Sequence, residues 1–202
     1  MQAEMVKGGE PAMPPLDSIG ADLRITTPGQ RRLALLRPLL GMAAYALAVH
    51  FRLWWVAPVI VFFIFVAVVT VTHDVVHGSL GLSRRQTDFA LFFMGAILLE
   101  SGHAYRASHW QHHRVFPGPD DPEGDPARMP LVKVILWGPA FLPRLWWWAY
   151  RRNARASERR WLLDEAALAL AVVIVSILFR RSLPAMLVYV MLVTIGVGFI
   201  RC

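Results

Sequence analysis

Of the 202 residues, 56% are hydrophobic, whereas soluble globular proteins are roughly 45–50% apolar, so the composition favours a membrane protein over a self-contained core. The single cysteine, Cys202, excludes a disulfide framework within the chain and a cysteine-based zinc or iron–sulfur site. The net charge of +7 comes from arginines in short stretches between apolar segments, which is typical of cytoplasmic loops beside anionic lipid and not of nucleic-acid binding.

The first predicted elements are a tail and a pair of spanning helices. Residues 1–32 are polar, contain proline and glycine and show no regular period, so we predict a disordered cytoplasmic tail. Apolar segments at 39–49 and 56–72 follow, with two tryptophans between them. Together with their flanks they approach the roughly 20 residues that a helix needs to cross a bilayer. We therefore predict a first transmembrane hairpin.

The later apolar segments differ in length and character. Segment 89–99 would extend only about 17 Å as a helix, so we predict that it is re-entrant or lies along the membrane surface. Residues 131–150 mix tryptophans with basic residues and prolines, which predicts an interfacial amphipathic helix. Segments 166–179 and 183–200 predict a second hairpin.

The predicted fold class is an all-α membrane protein with two transmembrane helical hairpins, or about four spanning helices. The interfacial or re-entrant helices between them form one domain with these spans, over residues 33–202. If the N-terminus is cytoplasmic, the outward-facing basic residues are only Arg52, Arg180 and Arg181, as the positive-inside preference requires. We therefore predict a multi-pass protein with residues 73–161 on the cytoplasmic side.

Six of the seven histidines lie within this predicted cytoplasmic region, five of them in two clusters. His73 and His77 are four residues apart, so on a helix both imidazoles share one face and can reach one metal. The second cluster contains His109, His112 and His113, whose spacing also gathers them on one helical face. We predict that these five histidines are metal ligands.

The type of ligand limits which metals the histidines could bind. Five imidazoles without a cysteine suit iron, zinc, copper or nickel. One zinc ion normally takes four ligands, so five histidines fit two metal ions better. A haem-binding pair is an alternative, but it requires histidines at the middle of separate spanning helices. A zinc metalloprotease helix requires glutamate beside the first histidine, where this chain has Asp74.

The two clusters resemble the first two histidine boxes of the membrane fatty-acid desaturase superfamily, which also contains carotenoid hydroxylases and ketolases. The HxxxH motif of His73 and His77 is followed some thirty residues later by the HxxHH motif of His109 to His113. The sequence HDVVHG at 73–78 is similar to the first box of carotenoid ketolases. The sequence after the second box, including GDP at 124–126, is similar to both desaturases and β-carotene hydroxylases.

The resemblance implies a non-haem centre of two iron ions that activates O₂ and attacks an unactivated C–H bond, with the five histidines as iron ligands. It implies a lipid or carotenoid substrate and electrons from ferredoxin, rubredoxin or cytochrome b5. The activity expected first is that of a fatty-acid desaturase in lipid metabolism. A β-carotene hydroxylase or ketolase is the alternative, and an inactive metal-binding membrane fragment is an alternative of another class.

The same resemblance predicts a third box, another HxxHH, after the second hairpin. The 202 residues contain no such motif. We interpret the desaturase-like domain as C-terminally incomplete and expect these residues alone to be inactive. A frameshift, a real loss of the box or ligands from another chain are the other interpretations.

Several residues near the boxes have weaker assignments. Asp74 and His103 are candidates for hydrogen-bond partners that orient the ligand imidazoles, the alternatives being a solvated aspartate and an interfacial histidine. The acidic residues at 120–125 alternate with prolines and are interpreted as a rigid acidic loop without a ligand role. No catalytic residue is predicted beyond the metal ligands.

Overall fold

The computed structural model describes residues 26–116, 118–152 and 155–200, and every regular element within these residues is helical. In chain order the helices are α1 (Pro28–His50), α2 (Ala57–Val76), α3 (Arg84–Leu98), α4 (Gly102–Val115), α5 (Leu131–Arg152), α6 (Ala156–Leu178) and α7 (Pro184–Ile200). Short 3-10 turns lie at Trp54–Val56 and Pro126–Arg128.

Helix α1 begins inside the segment that we predicted to be a tail. Thr27 accepts a hydrogen bond from the backbone N–H of Gln30, and the Gln30 side chain accepts one from the backbone N–H of Thr27. This capping box, with Pro28 in the first turn, starts the helix before residue 32. The predicted boundary was therefore too late, and residues 1–25 lie outside the described part of the chain.

Three described helical segments are long and apolar enough to cross a membrane: Pro28–His50, Trp54–Val76 and Ala156–Leu178. The fourth predicted span appears as a shorter apolar helix, Pro184–Gly196 within α7. The prediction of an all-helical protein is confirmed for the described residues, and three of the four expected spans are long and apolar enough to cross a membrane.

Helix α6 begins ten residues before the apolar segment that predicted it. Its first three turns contain Glu158, Asp164 and Glu165, which interrupt the hydropathy signal but not the helix. Glu165 is only 3% exposed because it packs against polar side chains of α4, described below. A burial of this kind cannot be read from hydropathy.

Helices α3 and α4 form a tight pair joined by three residues. Leu99 ends α3 in the left-handed conformation, with φ of 54°, and Ser101 caps α4 by accepting from the backbone N–H of Ala104. The Tyr189 hydroxyl of α7 donates to the Ile97 carbonyl beside the turn. This contact joins the end of segment 89–99 to the apolar helix α7, and the re-entrant or surface position of the segment stays a prediction.

The apolar core is centred on α2, which packs against α1, α3 and α7. Ile64, Val68 and Leu91 are fully buried in it. Large apolar side chains remain exposed on the outer faces of the helices, including Leu40, Phe63, Phe93 and Leu170. An outward-facing apolar surface of this kind is suited to lipid. The structure also places α5 over 131–152, close to the predicted amphipathic segment 131–150.

Candidate metal centre

The first histidine pair lies at the C-terminal end of α2. His73 is in the last turn of the helix and His77 is its C-cap, so the pair lies where the most apolar of the three candidate spans ends. Their ring centroids are 4.4 Å apart. The four-residue spacing therefore brings both imidazoles to one face, as predicted.

The second histidine cluster lies on the last two turns of α4, and the side chains of His109 and His113 meet the first pair, whereas His112 contacts His109 and His113. The His109 ring is 5.0 Å from the ring of His73 and 5.1 Å from that of His77, measured between centroids. The His113 ring is 4.9 Å from that of His77. Residues separated by more than thirty positions thus form one imidazole cluster.

Three ring nitrogens converge within this cluster. The Nε2 atoms of His77 and His109 are 3.1 Å apart, those of His109 and His113 are 3.1 Å apart, and those of His77 and His113 are 3.2 Å apart. Three imidazole nitrogens bound to one ion at about 2.1 Å lie roughly 3.0–3.4 Å from one another, depending on the coordination geometry. The observed separations therefore fit a metal ion held by these three side chains.

His73 completes the cluster. Ligand atoms of His73, His77 and His109 all lie within 4.8 Å of one another, a spacing that could hold a metal ion. The first box therefore contributes two imidazoles to the same small volume as the second. No cysteine or carboxylate belongs to this group of three, so its ligand type is that of an imidazole-bound transition metal.

The far side of His109 is held by a carboxylate. His109 Nδ1 is 3.1 Å from Glu123 Oε2, and the Ser108 hydroxyl donates to the other Glu123 oxygen over 2.6 Å. A carboxylate accepts from the Nδ1–H group, which leaves the Nε2 lone pair of His109 directed at the cluster. This is the arrangement that orients metal-bound histidines in proteins.

His112 is held in the same manner by Asp121. Its Nδ1 lies 2.9 Å from Asp121 Oδ2, and its ring centroid is 5.8 Å from that of His113. Burial raises the pKa of the Asp121 carboxyl, but hydrogen bonds from His112 and from the backbone N–H groups of Gly124 and Glu123 outweigh burial and hold the pKa below its usual value. Asp121 is therefore a stable anionic acceptor for His112.

The role of the acidic loop was not foreseen from the sequence. We interpreted residues 120–125 as a rigid acidic loop without a ligand role, and the structure adds that Asp121 is 1% exposed and that Glu123 lies 3.1 Å from the His109 ring nitrogen. Arg128 holds the loop together by donating to the Gly118 and Asp121 carbonyls and to the Asp125 carboxylate, and the contacts of Glu123 and Asp121 with side chains of α4 fold the loop back on that helix. The available signal was the position of acidic residues within a dozen positions of an HxxHH motif.

The environment of His77 favours the form of imidazole that binds metals. Burial, followed by the neighbouring imidazoles of His73, His109 and His113, lowers the pKa of His77, and Asp74 opposes this effect. The neutral ring is therefore favoured at neutral pH. Asp74 influences His77 through its charge, and the carbonyl of Asp74 accepts from Ser79. Its proposed bond to a ligand imidazole stays a prediction.

His103 lies in a separate polar cluster. It is 1% exposed, its Nδ1 is 2.7 Å from Glu165 Oε1, and its ring stacks on Trp161 at 4.9 Å. Ser101 donates a short hydrogen bond to the same carboxylate of Glu165. Within the described residues, none of these contacts involves a predicted metal ligand. The sequence analysis missed Glu165, which had no visible partner along the chain.

Comparison with known proteins extends these observations. A family model described as fatty acid desaturase matches residues 50–202, about three quarters of the chain, and the match includes all five clustered histidines. No curated protein and no solved structure matches the chain. The family match confirms the resemblance that the two histidine boxes indicated.

Proposed function

The chain belongs to the fatty acid desaturase family, and from this membership we propose that it is a membrane oxidoreductase that uses O₂ and a non-haem di-iron centre to desaturate acyl chains of lipids. The observation that carries the proposal is the convergence of His77, His109 and His113 from two separate helices to Nε2 separations of 3.1–3.2 Å. Such a close approach of ring nitrogens is stabilised by a shared cation.

We assign five imidazoles to the iron ions: those of His73, His77, His109, His112 and His113. When bound, the iron supplies the activation of O₂ and the removal of hydrogen from an unactivated C–H bond. The chain's own residues hold and orient the imidazoles, since Glu123 and Asp121 accept from the Nδ1 atoms of His109 and His112. The apolar helix surfaces beside the cluster would let an apolar substrate reach it from the membrane.

The overall reaction balances when two hydrogens leave the acyl chain and two electrons and two protons are supplied, so that O₂ is reduced to two waters. The electrons require a donor of the ferredoxin, rubredoxin or cytochrome b5 type. A carotenoid hydroxylase or ketolase is the second candidate, favoured by the sequence HDVVHG at 73–78. A metal-binding chain without turnover is the candidate of another class.

Iron analysis tests the centre independently of turnover. The chain is purified in detergent after expression with iron, and its iron content is compared with that of His77→Ala and His113→Ala. His50→Ala is the matched control, because His50 is an exposed histidine at the C-terminal end of α1 and does not belong to the cluster. We expect iron in the wild type and the control and a large loss in both cluster variants. Iron at equal levels in all four proteins, or in none, contradicts the proposed centre.

Product analysis separates the two candidate activities. The full gene is expressed in cells that make β-carotene, and acyl chains and pigments are profiled together. New double bonds in acyl chains support the desaturase. Oxidised pigment with unchanged acyl chains would instead establish the carotenoid enzyme.

A further inference from the structure

A second polar feature lies on a different face of the ligand-bearing helix α4. An open cleft of about 560 Å³ forms where the N-terminal ends of α3 and α6 meet α4. We call it the arginine cleft, because its walls contain Arg84, Arg106, Arg114 and Arg155, together with His103 and Trp110.

The charge of the cleft is not cancelled internally. Arg106 is fully paired, since its guanidinium donates to Asp88 over 2.8 Å and to Glu158 over 2.7 Å. Arg84, Arg114 and Arg155 are exposed, and within the described part of the chain they form no ion pair. Three uncompensated guanidinium groups therefore surround one concave surface.

One uncapped helix N-terminal end adds to this positive potential. Arg155 is the N-cap of α6, where no side chain caps the backbone N–H groups, whereas the start of α3 beside Arg84 is closed by a capping box of Ser83 and Gln86. The N-terminal end of a helix carries a partial positive charge and free N–H donors. The same cleft thus combines arginine side chains with unsatisfied backbone donors, a combination that binds anions.

A buried polar atom in the cleft wall also lacks a partner. His103 is 1% exposed and lines the cleft, and its Nδ1 is occupied by Glu165. Its Nε2 makes no hydrogen bond to the described residues, and Asp88 Oδ1 lies 3.5 Å away. Buried polar atoms normally have a partner, and with Nδ1–H donating to Glu165 the Nε2 atom accepts, so a hydroxyl of a protonated phosphate or a bridging water in the cleft would satisfy it.

The cleft adjoins both the metal centre and the apolar surface. Trp110 lines the cleft, and its ring lies 5.5 Å from that of His77 and 6.2 Å from that of His113. The candidate span of α6 starts at Ala156, next to Arg155, and Phe89 and Phe93 are exposed on α3, the helix that Arg84 begins. An anionic group held here would leave an attached apolar chain at the membrane surface, close to the imidazoles.

We propose that the arginine cleft binds a phosphate group, and that the lipid substrate supplies this phosphate as part of its head group. The planar donor fork of arginine matches phosphate oxygens, and a concave site with a buried histidine in its wall suits a small anion better than a protein surface. The assignment to a substrate rests on the proposed function, whereas the anion site itself does not. A phosphate-bearing substrate also favours acyl lipids over carotenoids, which carry no phosphate.

The test measures binding to metal-free protein, so it does not depend on iron or turnover. One arm titrates inorganic pyrophosphate into the full chain in maltoside micelles and follows heat. The other arm adds phosphatidic acid, or diacylglycerol with the same acyl chains, and counts bound lipid by native mass spectrometry. The variants are Arg84→Gln and the double variant Arg114→Gln/Arg155→Gln. The control is Arg181→Gln, an exposed arginine at the α6–α7 turn.

We expect phosphatidic acid to bind and diacylglycerol not to bind, with affinity about tenfold weaker for each arginine removed and unchanged in the control. Competition by pyrophosphate distinguishes a phosphate site from a site that also requires the lipid chain. Binding of pyrophosphate or of phosphatidic acid that the arginine variants lose supports the cleft. Equal affinity in the double variant and the wild type overturns the proposal. A wild-type chain that binds neither pyrophosphate nor phosphatidic acid also overturns it. Iron content measured on the same variants shows separately whether the metal centre exists.

Discussion

At the scale of single residues, the candidate centre depends on which nitrogen each imidazole presents. A neutral imidazole has one N–H and one lone pair, and a carboxylate at Nδ1 fixes the lone pair at Nε2. Glu123 does this for His109 and Asp121 does it for His112. Metal affinity should therefore depend on carboxylates that are not themselves in the imidazole cluster.

Replacing Glu123 tests this dependence. Glu123→Ala should lower iron affinity about 10–100-fold, because His109 loses the acceptor that orients its ring. The measurement is a competition titration of iron against a chelator of known affinity. Asp120→Ala is the matched control, since Asp120 is an exposed carboxylate of the same loop. If both variants bind iron as the wild type does, Glu123 does not position His109.

A second prediction at this scale concerns Glu165. Glu165→Ala removes the partner of His103 Nδ1 and of the Ser101 hydroxyl, and the side chains of His103 and Glu165 are 0% and 2% exposed. Leaving buried polar groups unpaired should cost roughly 3–5 kcal/mol in the free energy of unfolding. Unfolding in mixed micelles with increasing SDS measures this cost.

The neighbouring residue provides the control. Asp164 is largely exposed, and its distance to Arg160 is 3.8 Å, so Asp164→Ala should cost less than about 1 kcal/mol. Comparable stability of the Glu165 and Asp164 variants would contradict the structural role of the buried pair.

At the scale of elements, the position of the second histidine box depends on how closely α3 and α4 approach. Gly95 of α3 faces the backbone at the start of α4, where an added Cβ would lie 2.6 Å from the Glu100 carbonyl oxygen and 2.9 Å from the Gly102 nitrogen. Gly102 of α4 faces the backbone of Leu91 in the same manner. The close crossing sets the depth at which α4 starts and thus where its histidines meet α2.

We predict that Gly102→Ala destabilises the protein by about 1–3 kcal/mol, because a methyl group would overlap the Leu91 carbonyl and force the two helices apart. The shift should also reduce iron content. The measurements are SDS unfolding and metal analysis of the same preparation. Gly29→Ala is the control, since nothing lies within 4 Å of the added atom. A Gly102→Ala protein as stable as Gly29→Ala would show that the crossing tolerates side chains.

At the scale of the whole molecule, both histidine boxes and the arginine cleft lie on one side of the set of candidate spans. His73 is near the C-terminal end of Trp54–Val76, and Arg155 precedes the N-terminal end of Ala156–Leu178. If this side is cytoplasmic, the arginines of the cleft satisfy the positive-inside preference. The turn between α6 and α7, with Arg180 and Arg181, then lies on the opposite side.

Cysteine labelling tests this orientation at the two ends of α6. In a Cys202→Ser background, Ser157→Cys and Ser182→Cys introduce single exposed thiols before and after the span. An impermeant maleimide should label Ser182→Cys on intact cells and Ser157→Cys only in inverted membrane vesicles. The opposite pattern would place the histidine boxes outside the cytoplasm.

The sequence by itself determined the helical class, the approximate positions of the apolar helices and of α5, and the five candidate ligands. Hydropathy and residue spacing are local properties, so a run of apolar residues predicts a spanning helix and histidines four apart predict a shared face. The same locality explains the boundary errors. The capping box at Thr27 and the buried Glu165 extend α1 and α6 through polar residues where hydropathy alone ends them.

Only the tertiary structure decided which side chains meet. It brought the boxes of α2 and α4 to one cluster, placed Asp121 and Glu123 behind two of the imidazoles, and moved His103 into a different cluster with Glu165. These contacts join residues from 9 to 62 positions apart. Their geometry depends on the loop after α4 folding back and on the backbone crossing of α3 and α4, and no local pattern of residues encodes either.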